Sequence, residues 1–358
     1  MGTHSVDGPL CAWEEIADEG WVTLLVGNGL SINISSRFEY GSLYEEAEKA
    51  TSRSGLDDFD IAVFEHCETS NFELVLGRLR DAIALATALG QDSSAYRERF
   101  RSVQAALGGA IRGVHVARSE VHTDSLEVIK RDLQRYGAIF STSYDLIVYW
   151  AVGHEEQYGG FRDCFWGPDN SFDPSNCEIW AGNTPTYFMH GALHLIVDGL
   201  GRTRKLVYDD RRLLDQFGSS IPGDPEARPL LITEGSARDK LVAIEGNDYL
   251  LHAYETLESN AEPLVVFGHS LGAQDQHLID AINANPARPV AISMVEDDAA
   301  ALREQRSAIW GKLRGSDVYF FDAATHPLGA GDLSKAPPWK GFEARARRIG
   351  AAKASERV

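Results

Sequence analysis

The sequence predicts an α/β fold, in which a doubly wound and mostly parallel sheet is covered by helices on both faces. Short apolar runs alternate with longer helical patterns, and small polar or ligand-type residues follow most of the apolar runs. The chain has 358 residues, of which 44% are hydrophobic and 9% aromatic, so it can fill the core of one large domain. We therefore expect a single domain over residues 1–358.

The first predicted strand covers residues 21–26 and stops at two glycines one residue apart. Gly27 and Gly29 allow the backbone to turn sharply and to approach a ligand closely, because neither carries a Cβ atom. A helix after Ser31 would point its unpaired N–H groups at the same place, which suits a diphosphate. The alternative is an ordinary tight turn. The candidate nucleotide-binding residues of this turn are Gly27, Asn28, Gly29, Leu30 and Ser31.

Six further strands and a series of helices follow this turn. The predicted strands cover residues 138–141, 186–189, 228–233, 263–267, 291–295 and 318–321. The predicted helices cover residues 42–50, 71–89, 94–117, 125–135, 146–152, 248–258, 278–283 and 299–313, and one more carries Lys240. Residues 36–136 thus form a helical insertion, which is typical of a lid or a homo-oligomer surface. Residues 155–185 form a loop-rich insertion, and residues 330–358 form a basic tail.

The net charge of −19 disfavours nucleic acids and anionic membrane surfaces as partners. The sequence shows no basic stripe that would offset this charge, no apolar run of about 20 residues, and no signal-peptide pattern near its start. We expect a cytoplasmic protein that binds neither nucleic acid nor membrane. An anionic ligand would need local positive potential from helix termini and backbone amides.

The cysteine and histidine spacings predict no metal site. The four cysteines contain no Cys-x-x-Cys pair, so we expect four free buried thiols and no structural zinc. These cysteines are Cys11, Cys67, Cys164 and Cys177. His190 and His194 are four residues apart, which is a metal-binding spacing on a helix, but Gly191 and the strand pattern argue against a helix there.

Candidate site residues follow the second and third predicted strands. Ser143 and Asp145 lie between a strand and a helix, where they are either helix N-caps or ligand-binding side chains at the carboxyl edge of the sheet. His190 ends the third strand and precedes a glycine, so we expect it to be exposed enough to titrate and to act as a general base.

The turn after the fifth predicted strand supports a competing interpretation. Residues 268–272 match the Gly-x-Ser-x-Gly nucleophile elbow of α/β-hydrolases, with Ser270 as the nucleophile. Asp298 and His326 follow in the chain order that such a triad requires. Against this interpretation, only two strands follow the elbow, and the turns after the first two strands would have no role.

Four turns at successive strand ends resemble one known family when they are taken together. They are Gly27-Asn28-Gly29-Leu30-Ser31, Ser141-Thr142-Ser143-Tyr144-Asp145, His190-Gly191 and Gly268-His269-Ser270-Leu271. In this order they resemble the sirtuin-like NAD-consuming family, above all its bacterial branch that hydrolyses NAD, often in defence against phage. The resemblance spans about residues 21–322 and implies a Rossmann-like, sirtuin-type fold with NAD as substrate or ligand.

The resemblance also implies a role for each turn. Asp145 would contact the nicotinamide carboxamide, and His190 would activate a ribose hydroxyl or a water molecule. The residues implied for the diphosphate are Gly27, Gly29 and Ser31, and those for the adenosine side are Gly268, Ser270 and Leu271. Further cofactor-binding candidates in the same turns are Asn28, Leu30, Tyr144 and His269. By position alone, Glu296 past the sixth strand could accept hydrogen bonds from the adenine ribose.

Two departures from the family pattern leave the activity open between catalysis and binding. The zinc-binding cysteines of protein-deacetylating sirtuins are absent, and Ser143 stands where the family carries an asparagine that orients the water or ribose. A serine has a shorter reach and no amide N–H to donate. The alternatives are an NAD hydrolase, a non-catalytic sensor of NAD or an ADP-ribose derivative, and an enzyme acting on a related N-glycoside.

Overall fold

A computed structural model describes residues 8–39, 42–50, 55–153, 159–178, 182–206, 224, 227–232, 236–295, 298–313 and 315–333. Its strands are β1 Thr23–Val26, β2 Ala138–Ser141, β3 Phe161–Arg162, β4 Thr184–Phe188, β5 Gly191–Val197, β6 Thr203–Lys205, β7 Arg228–Leu231, β8 Leu264–Phe267, β9 Pro289–Met294 and β10 Asp317–Asp322. Seven of them form a parallel sheet in the order β10-β9-β8-β1-β2-β4-β3. Flanked by helices, this sheet confirms the predicted Rossmann-like α/β fold.

Helices connect and cover these strands. The α helices are α1 Trp13–Ile16, α2 Gly29–Ile34, α3 Leu43–Lys49, α4 Asp58–His66, α5 Phe72–Ala88, α6 Ser94–Val114, α7 Thr123–Leu133, α8 Ile147–Val152, α9 Ala237–Glu245, α10 Asp248–Ser259, α11 Gln276–Asn283 and α12 Ala299–Lys312. The helices α2 to α7 all lie between β1 and β2, and α3 to α7 fall within residues 36–136. None of the helices in the described ranges is long and apolar enough to cross a bilayer.

The strand side chains alternate between two apolar cores, one on each face of the parallel sheet. In β1, Leu24 and Val26 belong to the larger core, which also contains apolar residues of α5, α6, α7 and α8. Leu25 belongs to the second core, which contains apolar residues of α10, α11 and α12. Because both faces are covered, every residue of β1 is buried, and the strand reads as a continuous apolar run.

Strand β1 lies at the centre of the sheet, at the point where the strand order reverses. It pairs in parallel with β2 along one edge and with β8 along the other. Val26 therefore lies beside both Ser141 and Phe267, so the turns that follow the three strands begin side by side. In open α/β sheets such a switch point at the carboxyl ends of the strands forms a crevice for ligands.

The predicted fourth strand, residues 228–233, does not belong to the parallel sheet. It corresponds to β7, which pairs antiparallel with β5 in a separate three-stranded sheet of order β6-β5-β7. Strands β3, β5 and β6 were not predicted. Gly191 was interpreted as the end of a strand, whereas its φ of +71° is the turn that begins β5, every residue of which is buried.

Candidate functional site

The turns after β1 and β8 pack directly against each other. The main-chain N–H of Gly27 donates to the Phe267 carbonyl, and that of Gly29 donates to the Gly268 carbonyl, both at 2.8 Å. A Cβ atom on Gly27 would lie 2.5 Å from the Gly268 oxygen, and one on Gly29 would lie 2.6 Å from the Gly268 Cα. Gly268 itself has a φ of +65°. The glycines are thus required by the close approach of two backbone turns.

The same packing gives the glycine turn a structural role. The N–H of Leu30 donates to the Gly27 carbonyl, so three amides of the turn are bonded within the protein. Ser31 and Leu30 are buried, and the side-chain amide of Asn28 donates to the Phe38 carbonyl. The helix α2 has only six residues. The turn is therefore held by hydrogen bonds within the protein. A diphosphate bound there would need hydrogen-bond donors from other residues.

The turn after β2 is anchored to β1 and closed by its own side chains. The N–H of Thr142 donates to the Val26 carbonyl at 2.9 Å. The hydroxyl of Ser143 donates to Oδ2 of Asp145, and Oδ1 of Asp145 accepts from the Ile147 N–H at 2.8 Å. Both oxygens of this buried carboxylate are thus engaged, one of them at the start of α8.

The remaining residue of this turn, Tyr144, is tied to the second sheet. Its carbonyl accepts from the Leu193 N–H at 2.8 Å. His115, which sequence reasoning missed, supports the same turn from α6, because its Nε2 accepts from the Leu146 N–H at 3.1 Å. No local sequence signal marks His115, since it comes from the helical insertion.

His190 lies next to the β2 turn, but it is buried and not exposed as predicted. Its Nε2 lies 2.9 Å from Nε2 of His277, and it also forms a hydrogen bond with the Thr142 backbone. Burial and then the neighbouring His277 hold the pKa of His190 well below its usual value. The imidazole is therefore neutral near pH 7, with the strand ends of β2 and β4 joined through it.

A polar cluster behind His190 comes from α9 and from the segment that follows β8. Nζ of Lys240 on α9 lies 2.6 Å from Oδ1 of Asp275, and both side chains are buried. Nε2 of His269 lies 3.7 Å from Oδ2 of the same carboxylate. Burial lowers the pKa of His277 to about 4 and also lowers that of His269. We call His190, His269, His277, Asp275 and Lys240 the histidine cluster.

Sequence reasoning missed Asp275, His277 and Lys240 as members of the site. A signal existed, because two polar residues at the start of α11 follow the β8 turn at the carboxyl edge of the sheet. Nothing in the sequence, however, pairs His277 with His190, which is 87 residues away.

Other candidate residues lie apart from the histidine cluster. His194 is buried in β5 and stacks on Tyr149 with ring centroids 4.1 Å apart. Asp298 accepts a hydrogen bond from the Ala300 N–H as the N-cap of α12. Glu296 falls outside the described residues.

The three residues of the alternative hydrolase triad do not contact one another. Ser270 is exposed, whereas His326 is buried. Nε2 of His326 lies 3.3 Å from the Tyr136 hydroxyl, and its Nδ1 accepts from the Leu328 N–H. His326 therefore has partners on the helical-insertion side of the sheet, while Leu271 in the elbow packs in the opposite core.

The prediction of four free cysteines is wrong. Cys164 and Cys177 form a disulfide that closes part of the loop-rich insertion, while Cys11 and Cys67 are free. Half-buried Cys67 also departs from the expectation that all four thiols are buried. The pairing was missed because the two cysteines lie at a sequence separation of 13, and no local motif marks a pair at that distance.

The arrangement as a whole places a neutral imidazole and a buried carboxylate at the switch point of a parallel sheet. A neutral imidazole can accept a proton, and the Thr142 backbone partner fixes the orientation of the ring.

Comparison with known proteins adds a family to this description. No curated protein matches the chain. A family model described as a domain of unknown function, DUF4917, matches residues 24–328, which include all of β1 but its first residue, the histidine cluster and β10. The chain therefore belongs to the DUF4917 family.

Proposed function

We propose that the chain hydrolyses the nicotinamide–ribose bond of NAD and releases nicotinamide and ADP-ribose. One observation carries the proposal: buried, neutral His190 lies where the ends of β1, β2, β4 and β8 converge at the switch point. The resemblance of the four turns to the sirtuin-like NAD-consuming family supports the choice of NAD as substrate. The same group of strand ends around His190 would also suit a related N-glycoside as substrate.

Hydrolysis of the nicotinamide–ribose bond requires one general base. The leaving group needs little assistance. Cleavage of the bond between the ribose C1′ and the pyridinium nitrogen returns the bonding electron pair to nitrogen, so nicotinamide leaves as a neutral molecule. A water oxygen attacks C1′ as positive charge develops on the sugar, and the neutral imidazole of His190, in its hydrogen-bonded pair with His277, accepts the proton. Because the ring is held at Thr142, it is already oriented for this transfer.

Incubation of the full chain with NAD, followed by mass spectrometry of nicotinamide and ADP-ribose, tests the proposal. We expect release by the wild type and a loss of about 100-fold or more in His190→Ala, which lacks the base. His122→Ala is the matched control, because His122 is exposed at the start of α7 and should change nothing. Release that persists in a folded His190→Ala variant would contradict the assignment.

A second candidate function is binding of NAD or an ADP-ribose derivative without turnover. The observation that favours it is the Ser143 hydroxyl, which donates to Asp145 and so is committed within the protein. Both oxygens of Asp145 are engaged as well, which weakens its hold on a nicotinamide carboxamide. Calorimetry that shows tight NAD binding, with no nicotinamide released over hours, would favour the sensor.

The variant Ser143→Asn distinguishes a slow enzyme from a sensor. An asparagine adds an amide N–H that can orient water at C1′, so we expect nicotinamide release to rise by about tenfold or more. Ser143→Ala is the control, since it removes the hydroxyl without adding a donor and should show no gain. A Ser143→Asn variant that binds NAD and is no faster than the wild type would show that residue 143 does not limit the reaction.

A further inference from the structure

We propose that His190, His277 and Asp275 bind one divalent transition-metal ion, of the class that includes zinc, between the end of β4 and the start of α11. The proposal departs from the sequence-based expectation of no metal. It concerns binding alone and does not depend on NAD hydrolysis.

The geometry of the three side chains carries the proposal. One nitrogen of each histidine and one carboxylate oxygen of Asp275 all lie within 4.8 Å of one another, and all three residues are buried. The two Nε2 atoms face each other at 2.9 Å. An ion bound about 2.0–2.1 Å from each nitrogen would hold them roughly 3 Å apart, so only a small adjustment is needed.

The second ring nitrogen of His190 has the partner that metal-bound histidines usually have. His190 forms a hydrogen bond with the Thr142 backbone, while its Nε2 faces His277. Metal-ligating histidines almost always donate their other ring N–H to a carbonyl or carboxylate. With that N–H occupied, Nε2 carries the lone pair that faces His277.

Asp275 and His277, the other two ligands, have few hydrogen bonds that the ion would have to displace. Lys240 holds Oδ1 of Asp275, while Nε2 of His269 lies 3.7 Å from Oδ2. Nδ1 of His277 is buried and has no hydrogen-bond partner in the described ranges, so the ring can adjust without breaking a hydrogen bond on that side. Because Lys240 shares the single carboxylate charge, we expect weaker binding than at a site whose carboxylate has no cationic partner.

A second group of ligand-type residues does not compete for the ion in the structure as it stands. Cys164, Cys177 and His252 also lie within 4.8 Å of one another. Their sulfur atoms are joined in a disulfide, however, and metals bind the thiolate. The nitrogen and oxygen ligand set of the histidine cluster suits zinc, iron, cobalt or manganese, with positions left open for a non-protein ligand.

The test uses the full chain after treatment with a chelator and removal of that chelator. Zinc is titrated in competition with a chromophoric chelator, in the absence of NAD, and we expect one zinc ion per chain. His190→Gln, His277→Gln and Asp275→Asn should each weaken binding by at least about tenfold. His252→Gln is the matched control and should bind like the wild type, because His252 belongs to the other group.

X-ray absorption of the wild-type zinc complex gives a readout that needs no variant to fold. We expect nitrogen and oxygen ligands at about 2.0–2.1 Å, and no sulfur at about 2.3 Å. Wild-type protein that binds no zinc, a sulfur ligand, or zinc loss in His252→Gln but not in the three ligand variants would each overturn the proposal. Nicotinamide release is measured separately, so either proposal can fail while the other stands.

Discussion

Gly27 illustrates at the scale of a single residue how close packing between two turns requires a glycine. The glycine lets the β1 turn approach the β8 turn, with its N–H bonded to the Phe267 carbonyl. A Cβ atom added to Gly27 would lie too close to the Gly268 oxygen. The space that the sequence suggested for a ligand is therefore occupied, at this position, by the backbone of the neighbouring turn.

We expect Gly27→Ala to lower the free energy of unfolding by about 3 kcal/mol, because the new methyl group would meet a backbone oxygen that cannot move easily. Urea denaturation measures the change. The matched control is Gly77→Ala on α5, where an added Cβ meets nothing within 4 Å. That control should gain about 0.5–1 kcal/mol, since alanine favours a helix. Equal stability of Gly27→Ala and the wild type would show that the turns separate readily.

The individual site residues were predictable to the extent that strand ends are predictable. Ser143, Asp145 and His190 were identified because small polar or titratable residues stood after apolar runs, and the structure places all three near the switch point. Their burial and their partners could not be predicted. The neutral state of His190 depends on its burial and then on His277, and the engagement of Asp145 depends on a side-chain rotamer.

The disulfide between Cys164 and Cys177 shows at the scale of elements how a loop-rich segment acquires a fixed shape. Both cysteines belong to the apolar core that contains Phe140 and Tyr187. The Asp163 carboxylate next to the bridge pairs with Nζ of Lys205 at 2.7 Å. The segment before β4 is thus held both by a covalent link and by an ion pair to β6.

We expect the double variant Cys164→Ser, Cys177→Ser to lose about 3 kcal/mol of unfolding free energy, because the bridge closes a loop of about 15 residues in the unfolded chain. Reducing agent should destabilise the wild type similarly and leave the double variant unchanged. Cys67→Ser serves as the control, since Cys67 is a free cysteine. A wild type whose urea midpoint is insensitive to reductant would argue against this contribution.

Helices and strands with a clear hydrophobic pattern were predictable from the sequence. The pairing of strands into sheets was not. The predicted strand 138–141 is confirmed as β2, and the helix predicted over residues 94–117 is confirmed as α6, Ser94–Val114. Strand β7 was recognised as a strand, but its sheet was not. An apolar run carries no information about which strand it will pair with, and β6 has only three residues.

For the whole molecule, a buried carboxylate in α7 couples folding to pH. Asp132 pairs with Arg135 at 2.8 Å, but its other oxygen has no hydrogen-bond partner and lies 3.9 Å from Nε2 of His326. Burial, opposed by Arg135, raises the pKa of Asp132 to about 6. The folded chain therefore binds this proton more tightly than the unfolded chain does.

The sign of the pH effect follows from that difference. Between the unfolded pKa near 4 and the folded value of about 6, stability falls as pH rises, by at most about 3 kcal/mol. In Asp132→Asn this contribution should vanish, so unfolding free energies at pH 4.5 and pH 7 should differ less than in the wild type. Asp81→Asn is the control, as its side chain is 75% exposed. An unchanged pH profile in Asp132→Asn would assign the effect to other groups.

The central position of β1 has a consequence for how the chain reaches its native state. Thr23 lies opposite Ala138 on one side and Leu264 on the other, so neither neighbour is close in sequence. On the ribosome, β1 emerges long before β8 has been made, and one of its edges stays open throughout that interval. Long-range pairing of this kind slows folding and leaves the nascent chain prone to aggregation until the late strands arrive.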